Sequence, residues 1–337
     1  MRIAIDLMGS DSSPEILFEG LISAVTTHKH SCTFILLATS HVEHVIKKKY
    51  ALFFENIPES MRIFFQIVTE EILMDDDPLS AVRHRRQSSL VQGIRLVKKK
   101  QADAFVSTGN TGALLACASL SLPALPGIKR PALLASLPTK KGSVVVIDVG
   151  GNVSCKAAQL VQFALLGAAY QRSLGKKKQP KVGLLNIGIE SRKGTSEVRQ
   201  AYQQLKEMGE ASLKPISFVG NVEARELFEG KVDVLVTDGF SGNVLLKTIE
   251  GFSVLVVNAL KNSLREIDSP QLGRFMKTFD YKEYPGAILC GIEGVVVKCH
   301  GNSSSLEFAY GIKEAIRLVH RQFIDQIKQS LASFEAD

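Results

Sequence analysis

Five of the nine asparagines in this chain directly follow a glycine, at Gly109-Asn110, Gly151-Asn152, Gly220-Asn221, Gly242-Asn243 and Gly301-Asn302. With 26 glycines among 337 residues, chance placement gives fewer than one such pair. Each pair is expected just past a strand and just before a helix. Asparagine there caps a helix or makes a left-handed turn. Helix amino termini gathered on one sheet edge also present free N–H groups and positive dipole ends to an anion. The pattern therefore reads either as plain turn chemistry or as a polar, anion-handling cleft. Asp6, Asp148 and Asp238 are expected at strand ends too, and His300 precedes the last pair.

Other chemistries are missing. There is no GxxxxGK[ST] phosphate loop and no GxGxxG fingerprint. The run Gly239-Phe240-Ser241-Gly242 is one residue short of GxSxG, so a hydrolase elbow is not supported. No HExxH or paired-cysteine motif suggests zinc. His28, His30 and Cys32, with His41 and His44 beyond, read as a solvated helix end and loop; neither metal nor cofactor is expected. Cys299 and His300 are neighbours on a strand and point to opposite faces, which argues against a cysteine nucleophile. The five cysteines are scattered and suit reduced thiols of a cytoplasmic protein.

The elements that would carry these residues alternate. Strands are expected at Arg2–Asp6, Thr33–Ala38, Ala104–Ser107, Ser143–Asp148, Lys181–Asn186, Pro215–Val219, Val232–Thr237 and Val295–Lys298, most of them followed by a helix. The uncharged stretch from Ala104 to Ile128 reads as strand, loop and helix, because Pro123 and Pro126 break any membrane span. One C-terminal helix is expected from the stripe Ile312, Ile316, Val319, Phe323, Ile327, Leu331 and Phe334. This is an α/β pattern with a mainly parallel sheet, and residues 1–337 read as a single domain, with two lobes sharing one sheet as the variant. Hydrophobic residues make up 45%, which excludes a disordered tail, and Asp6 interrupts any signal-peptide core. The net charge of +7 admits nucleic acid, an anionic membrane or an acidic partner.

Several motifs occur together and in order: Ile5-Asp6-Leu7-Met8-Gly9-Ser10-Asp11, Ser107-Thr108-Gly109-Asn110-Thr111-Gly112-Ala113, Arg130-Pro131-Ala132-Leu133 and Asp148-Val149-Gly150-Gly151-Asn152. They continue with Gly183-Leu184-Leu185-Asn186-Ile187-Gly188 ahead of Glu190, Lys193 and Gly194, then Gly220-Asn221-Val222-Glu223-Ala224-Arg225, Thr237-Asp238-Gly239-Phe240-Ser241-Gly242-Asn243 and Lys298-Cys299-His300-Gly301. Nearly end to end, the chain resembles the bacterial phosphate acyltransferases, which make acyl-phosphate from acyl-acyl-carrier-protein and inorganic phosphate. The resemblance implies a three-layer α/β/α fold like the isocitrate and isopropylmalate dehydrogenases. It also implies a homodimer in the cytoplasm, and a membrane glycerol-3-phosphate acyltransferase that consumes the product in phospholipid synthesis. Ser10 stands where the family usually has glycine, and Gly151 where it usually has alanine. The segment from Gly251 to Asp280-Tyr281-Lys282-Glu283-Tyr284 is shorter than usual, which weakens peripheral attachment to the inner face of the membrane. Its stripe of Val254, Val257, Leu260, Leu264 and Ile267 suits core or dimer packing.

On this reading Lys193 orients phosphate as a compact cation. Asn243 donates its amide to phosphate or to the oxyanion, while also capping a helix that starts at Val244. Asn110, Thr111, Gly112, Asn152, Asn221, Asp238, His300 and Gly301 complete the substrate and phosphate contacts. Arg83, Arg85 and Arg86 are expected to dock the acidic carrier, with Lys98-Lys99-Lys100 and Lys176-Lys177-Lys178 as further basic runs. The alternatives are a phosphate acetyltransferase-like enzyme using an acyl-CoA donor, and, from another class, a non-catalytic nucleic-acid binder. Aromatics at 7% and the absence of tryptophan speak against the second.

Overall fold

The computed structural model describes residues 1–26, 31–58, 61–174, 177–210, 216–263 and 286–335. His28, His30, Lys176, Leu264, Ile267 and the 280–284 segment lie outside them. The described strands are β1 Arg2–Asp6, β2 Cys32–Ala38, β3 Met61–Ile67, β4 Ala104–Ser107, β5 Ala132–Thr139, β6 Gly142–Ile147, β7 Lys181–Leu185, β8 Ser217–Val222, β9 Val234–Val236, β10 Ala287–Cys290 and β11 Val295–Lys298. The helices are α1 Pro14–Thr26, α2 Ser40–Lys49, α3 Ala51–Glu55, α4 Pro78–His84, α5 Ser89–Lys98, α6 Thr111–Ser121, α7 Ala157–Ser173, α8 Ser196–Glu210, α9 Gly239–Ser263, α10 Ser305–His320 and α11 Phe323–Glu335. They divide between two compact units: Met1–Leu125 with Pro285–Asp325, and Pro126–Tyr284 with Gln326–Asp337.

In the first unit the strands run in the order β3-β2-β1-β4-β11-β10. All neighbours are parallel except the β10–β11 pair. β4 and β11 are buried at every residue, as central strands covered by helices must be. Helix α1 packs on α10. Gly20 permits that approach, since a Cβ there would lie 2.7 Å from the Ser305 carbonyl oxygen.

In the second unit the order is β5-β6-β9-β7-β8. β5 and β6 form an antiparallel pair, and the remaining strands are parallel. Helix α7 is apolar almost all round and lies on β6 and β9. In each unit the carboxyl ends of the parallel strands share one edge, where α/β sheets bind ligands.

Several expectations change here. The C-terminal stripe belongs to two helices, because Arg321 ends α10 and Gln322 turns left-handed at φ 52. Gly220-Asn221 lies inside β8 and Gly242-Asn243 inside the first turns of α9, so neither pair links a strand to a helix. Asn243 therefore caps nothing. The cap of α9 is Asp238, whose carboxylate accepts the Ser241 N–H at 2.8 Å. The α9 stripe is not core of this chain: Val254 is exposed and Val257 half-buried, while Phe240, Phe252 and Leu255 lie open. By length and composition alone Gly239–Leu260 is apolar enough to cross a membrane, which for a single helix is weak evidence of a span.

Candidate active site

At the edge of the first unit, buried Asp6 organises the ends of β1 and β4. Its Oδ1 accepts the Met8 N–H at 3.0 Å, and its Oδ2 accepts the Ser107 hydroxyl at 2.8 Å. Ser107 Oγ in turn accepts the Gly109 N–H at 3.0 Å. Burial pushes the Asp6 carboxyl up to about 6, against the hydrogen bonds from Ser89, Met8 and Ser107, which hold it down.

Asn110 caps α6 by accepting the Ala113 N–H at 3.0 Å. Its amide nitrogen donates to the carbonyls of Leu73, Met74 and Asp76 at 3.3, 3.0 and 3.1 Å. Both ends of the side chain are thus spent on the protein, and Asn110 shapes the turn that presents Thr111 and Gly112. Gly112 has no room for a side chain, as a Cβ would lie 2.6 Å from Pro78 Cγ. The Gly301 carbonyl accepts from Asp11 N, Ser12 N and Ser10 Oγ at 3.0, 3.2 and 2.8 Å, tying the β11–α10 turn to the β1–α1 loop. Ser10 thus gives this turn a bond that glycine lacks. His300, beside it, is exposed.

Arg85, expected among the docking charges, is engaged within the chain. Its guanidinium pairs with Asp76 at 2.7 Å and donates to the Glu71 carbonyl, so it braces the 71–76 loop. Arg83 and Arg86 remain on the surface.

The edge of the second unit is built around Asp148, which is fully buried. Its carboxylate accepts from the N–H groups of Leu133, Gly151 and Asn152 at 3.0, 2.8 and 2.7 Å, and from Asn152 Nδ2 at 2.8 Å. Burial raises its pKa, and these donors pull the other way. Asn152 Nδ2 also donates to the Pro131 carbonyl at 2.9 Å, so this asparagine is committed to the turn as well. The amino end of α9 docks on the same turn, with Gly239 N donating to Asn152 O at 2.7 Å. There Asn243 faces Gly150 and is exposed.

Beyond β7, Asn186 Nδ2 donates to the Lys193 carbonyl at 3.1 Å, and Asn221 Nδ2 donates to the Glu190 carbonyl at 2.8 Å. These bonds fold the 186–195 loop and present an exposed Lys193. Among the described residues neither the Lys193 ammonium nor the Asn243 amide has a hydrogen-bond or ion-pair partner. Asn221 Oδ1 is buried, with no hydrogen-bond partner among the described residues. Ile187, Ile189 and Val153 add exposed apolar side chains to the two loops. The structure thus gathers Asn110, Thr111, Gly112, His300 and Gly301 at one edge, and Asn152, Lys193, Asn221, Asp238 and Asn243 at the other.

The chain matches the model of the fatty acid synthesis protein family over residues 1–326. It is 38% identical to the phosphate acyltransferase of Chlamydia pneumoniae, over 98% of this chain and 99% of that protein. The chain belongs to the phosphate acyltransferase family. Its fold is similar to a EutD phosphotransacetylase from Staphylococcus aureus, with a TM-score of 0.58, 16% identity, and 98% and 94% of the two chains covered. It is also similar to a 4-hydroxythreonine-4-phosphate dehydrogenase from Klebsiella pneumoniae, with a TM-score of 0.52, 12% identity, and 94% and 98% covered. The expected α/β fold with a mainly parallel sheet holds.

Two further residues gain weight in the structure. Arg130 is exposed, next to the Pro131 carbonyl that Asn152 holds, and its charge reaches Cys155. Lys298 closes the apolar run of β11 yet is buried; a lysine ending such a run is a signal the sequence does carry. Burial drives the Cys155 and Cys299 thiols up to about 12, far from the thiolate a nucleophile needs.

Proposed function

We propose that this member of the phosphate acyltransferase family reversibly transfers an acyl group from acyl-acyl-carrier-protein to inorganic phosphate, giving acyl-phosphate and the free carrier thiol. One observation carries the assignment of roles. Lys193 and Asn243 are open and unpartnered among the described residues, whereas Asn110 and Asn152 are consumed by the turns they shape.

Phosphate is anionic near neutral pH and attacks the thioester carbon without a strong enzymic base. A phosphate oxygen bonds to that carbon, the tetrahedral oxyanion collapses, and the carbon–sulfur bond breaks. The sulfur leaves as a thiolate whose conjugate acid has a pKa of about 8.5, so it needs little help. The chain's work is then to hold phosphate, aim it and steady the oxyanion. Lys193 supplies the compact cation, and Asn243 the amide donor. Thr111, Gly112, His300 and Gly301 on the edge of the first unit, and Asp238 on the edge of the second, are the further substrate and phosphate contacts. Asn110, Asn152 and Asn221 set the backbone that faces it. Ile187, Ile189 and Val153 give the acyl thioester an apolar surface.

Arg83 and Arg86 are the docking charges for the acidic carrier. The open apolar face of α9, with Phe240, Phe252 and Leu255, supports a homodimer. The protein works in the cytoplasm, and a membrane glycerol-3-phosphate acyltransferase takes up its product.

The test is the release of carrier thiol from acyl-acyl-carrier-protein with and without phosphate, beside the same assay with acyl-CoA. Phosphate-dependent release from the carrier thioester supports the reading. Release without phosphate means hydrolysis, and preference for acyl-CoA moves the donor; either outcome overturns it.

A further inference from the structure

Lys298 is the last residue of β11, buried at 7% exposure. Taking an ammonium out of water is costly unless it is well hydrogen-bonded. Its Nζ donates to the Thr108 carbonyl at 3.2 Å and to the Cys299 carbonyl. Those two carbonyls belong to different turns. Thr108 opens the turn from β4 to α6, which carries Gly109 to Gly112. Cys299 opens the turn from β11 toward α10, which carries His300 and Gly301. The strands lie side by side, with Lys298 paired in register with Ser107. A single cation therefore bridges both.

The same turn holds a second unusual group. Thr108 is wholly buried, and among the described residues its hydroxyl has no hydrogen-bond partner. Such orphaned hydroxyls are rare in folded proteins and leave bonding capacity unmet at this turn. Three residues further on, α6 begins, with free N–H groups and the positive end of its dipole.

We propose that Lys298 is a positioning residue for the reaction. Its buried ammonium locks the β4–α6 and β11–α10 turns together and adds a fixed positive charge behind the anion-binding face of the first unit. The proposal rests on the reading that Thr111, Gly112 and Gly301 of that face contact phosphate. A cation held by carbonyls in a low-dielectric setting attracts an anion more strongly than one in water. The geometry also makes a distinction: removing the charge should weaken phosphate binding and leave the acyl donor's docking alone.

The test is steady-state kinetics of the full chain, with phosphate and donor varied separately, for wild type, Lys298→Met, Lys298→Gln and Lys298→Arg. In Lys298→Met and Lys298→Gln the KM for phosphate should rise about tenfold or more, with the donor KM changed less than about twofold. Lys298→Arg keeps the cation and should return the phosphate KM to within about threefold of wild type. An unchanged phosphate KM in a folded neutral variant overturns the proposal, and so does an equal loss in the arginine variant.

Wild-type chain gives an independent reading should the neutral variants not fold. Saturating phosphate alone should slow amide hydrogen exchange in residues 108–112 and 299–303 together; slowing in one segment, or in neither, overturns the link. That measurement needs no acyl donor. If the acyl-phosphate reaction itself fails while both segments respond, the fault lies with the proposed reaction and not with Lys298.

Discussion

Gly242 of α9 stands so close to Asp148 that a Cβ on it would fall 1.8 Å from the Asp148 main-chain oxygen. No small shift relieves that, because the oxygen belongs to the turn that the buried Asp148 carboxylate holds. Gly242→Ala should therefore lift the start of α9, and Asn243 with it, off the turn. Overpacking of this kind costs about 1–3 kcal/mol, and acyl transfer should fall at least about tenfold from misplacement alone. Urea unfolding and thiol release measure the two effects. Wild-type values for both would mean that α9 does not depend on this contact.

Lys193→Ala and Asn243→Ala should behave differently from the glycine variant. Both side chains are exposed and unpartnered among the described residues, so stability should stay within about 0.5 kcal/mol of wild type. Turnover should drop at least about tenfold in each, with losses of about 2.7–4 kcal/mol in transition-state stabilisation if either serves the oxyanion. Normal turnover in either variant removes that residue from the site.

The arginines of the 83–86 run should separate cleanly. Reversing Arg83 and Arg86 to glutamate should raise the KM for acyl-acyl-carrier-protein several-fold and leave the unfolding curve in place. Arg85→Ala should destabilise the chain by about 1.5–3 kcal/mol, the range for hydrogen bonds to charged groups, through the loss of Asp76 and the Glu71 carbonyl. The opposite assignment of effects would return Arg85 to the docking set.

Asp6 sets a pH dependence of stability. Its carboxyl is raised from 3.8 to about 6 in the fold. Between those values the folded chain holds a proton that the unfolded chain has lost. This group's contribution is thus full below about pH 4 and lost as pH rises through about 6, a span worth at most about 3 kcal/mol. Relative to Asp6→Asn, wild type should gain stability as pH falls from 7 to 4. Chemical unfolding at several pH values tests this, and a difference that stays flat would mean Asp6 titrates normally.

Much of this was legible before any coordinates. The runs of β1, β4, β7 and β11 announce buried parallel strands, and the ordered motifs mark the loops that follow them. Three strands escaped. β3 exposes Phe64 and Ile67 and shows no dependable alternation, β5 ends in Pro138-Thr139, and β10 is only four residues long. The C-terminal stripe also hid a break, since the spacing of apolar residues continues across a left-handed Gln322 that periodicity cannot register.

The roles within the site were harder to read. Sequence shows that Asn110 and Asn243 both follow glycine, but not that one amide is enclosed by three carbonyls and the other stands open. Arg85 and Arg86 are neighbours of the same type, and only the position of Asp76 separates them. Which side chain is spent is a tertiary fact.

Asn110, Asn152 and Asn221 hold their turns through amide-to-carbonyl hydrogen bonds, without a formal charge on the side chain. Dissolved ions screen exposed charges over about 8–10 Å, but they have little hold on buried dipoles in contact. The carrier's approach to Arg83 and Arg86 should slow as ionic strength rises, while the turns it meets keep their form. On the proposed reading, a rise in salt would then alter how often the donor arrives and leave the receiving surface as it was.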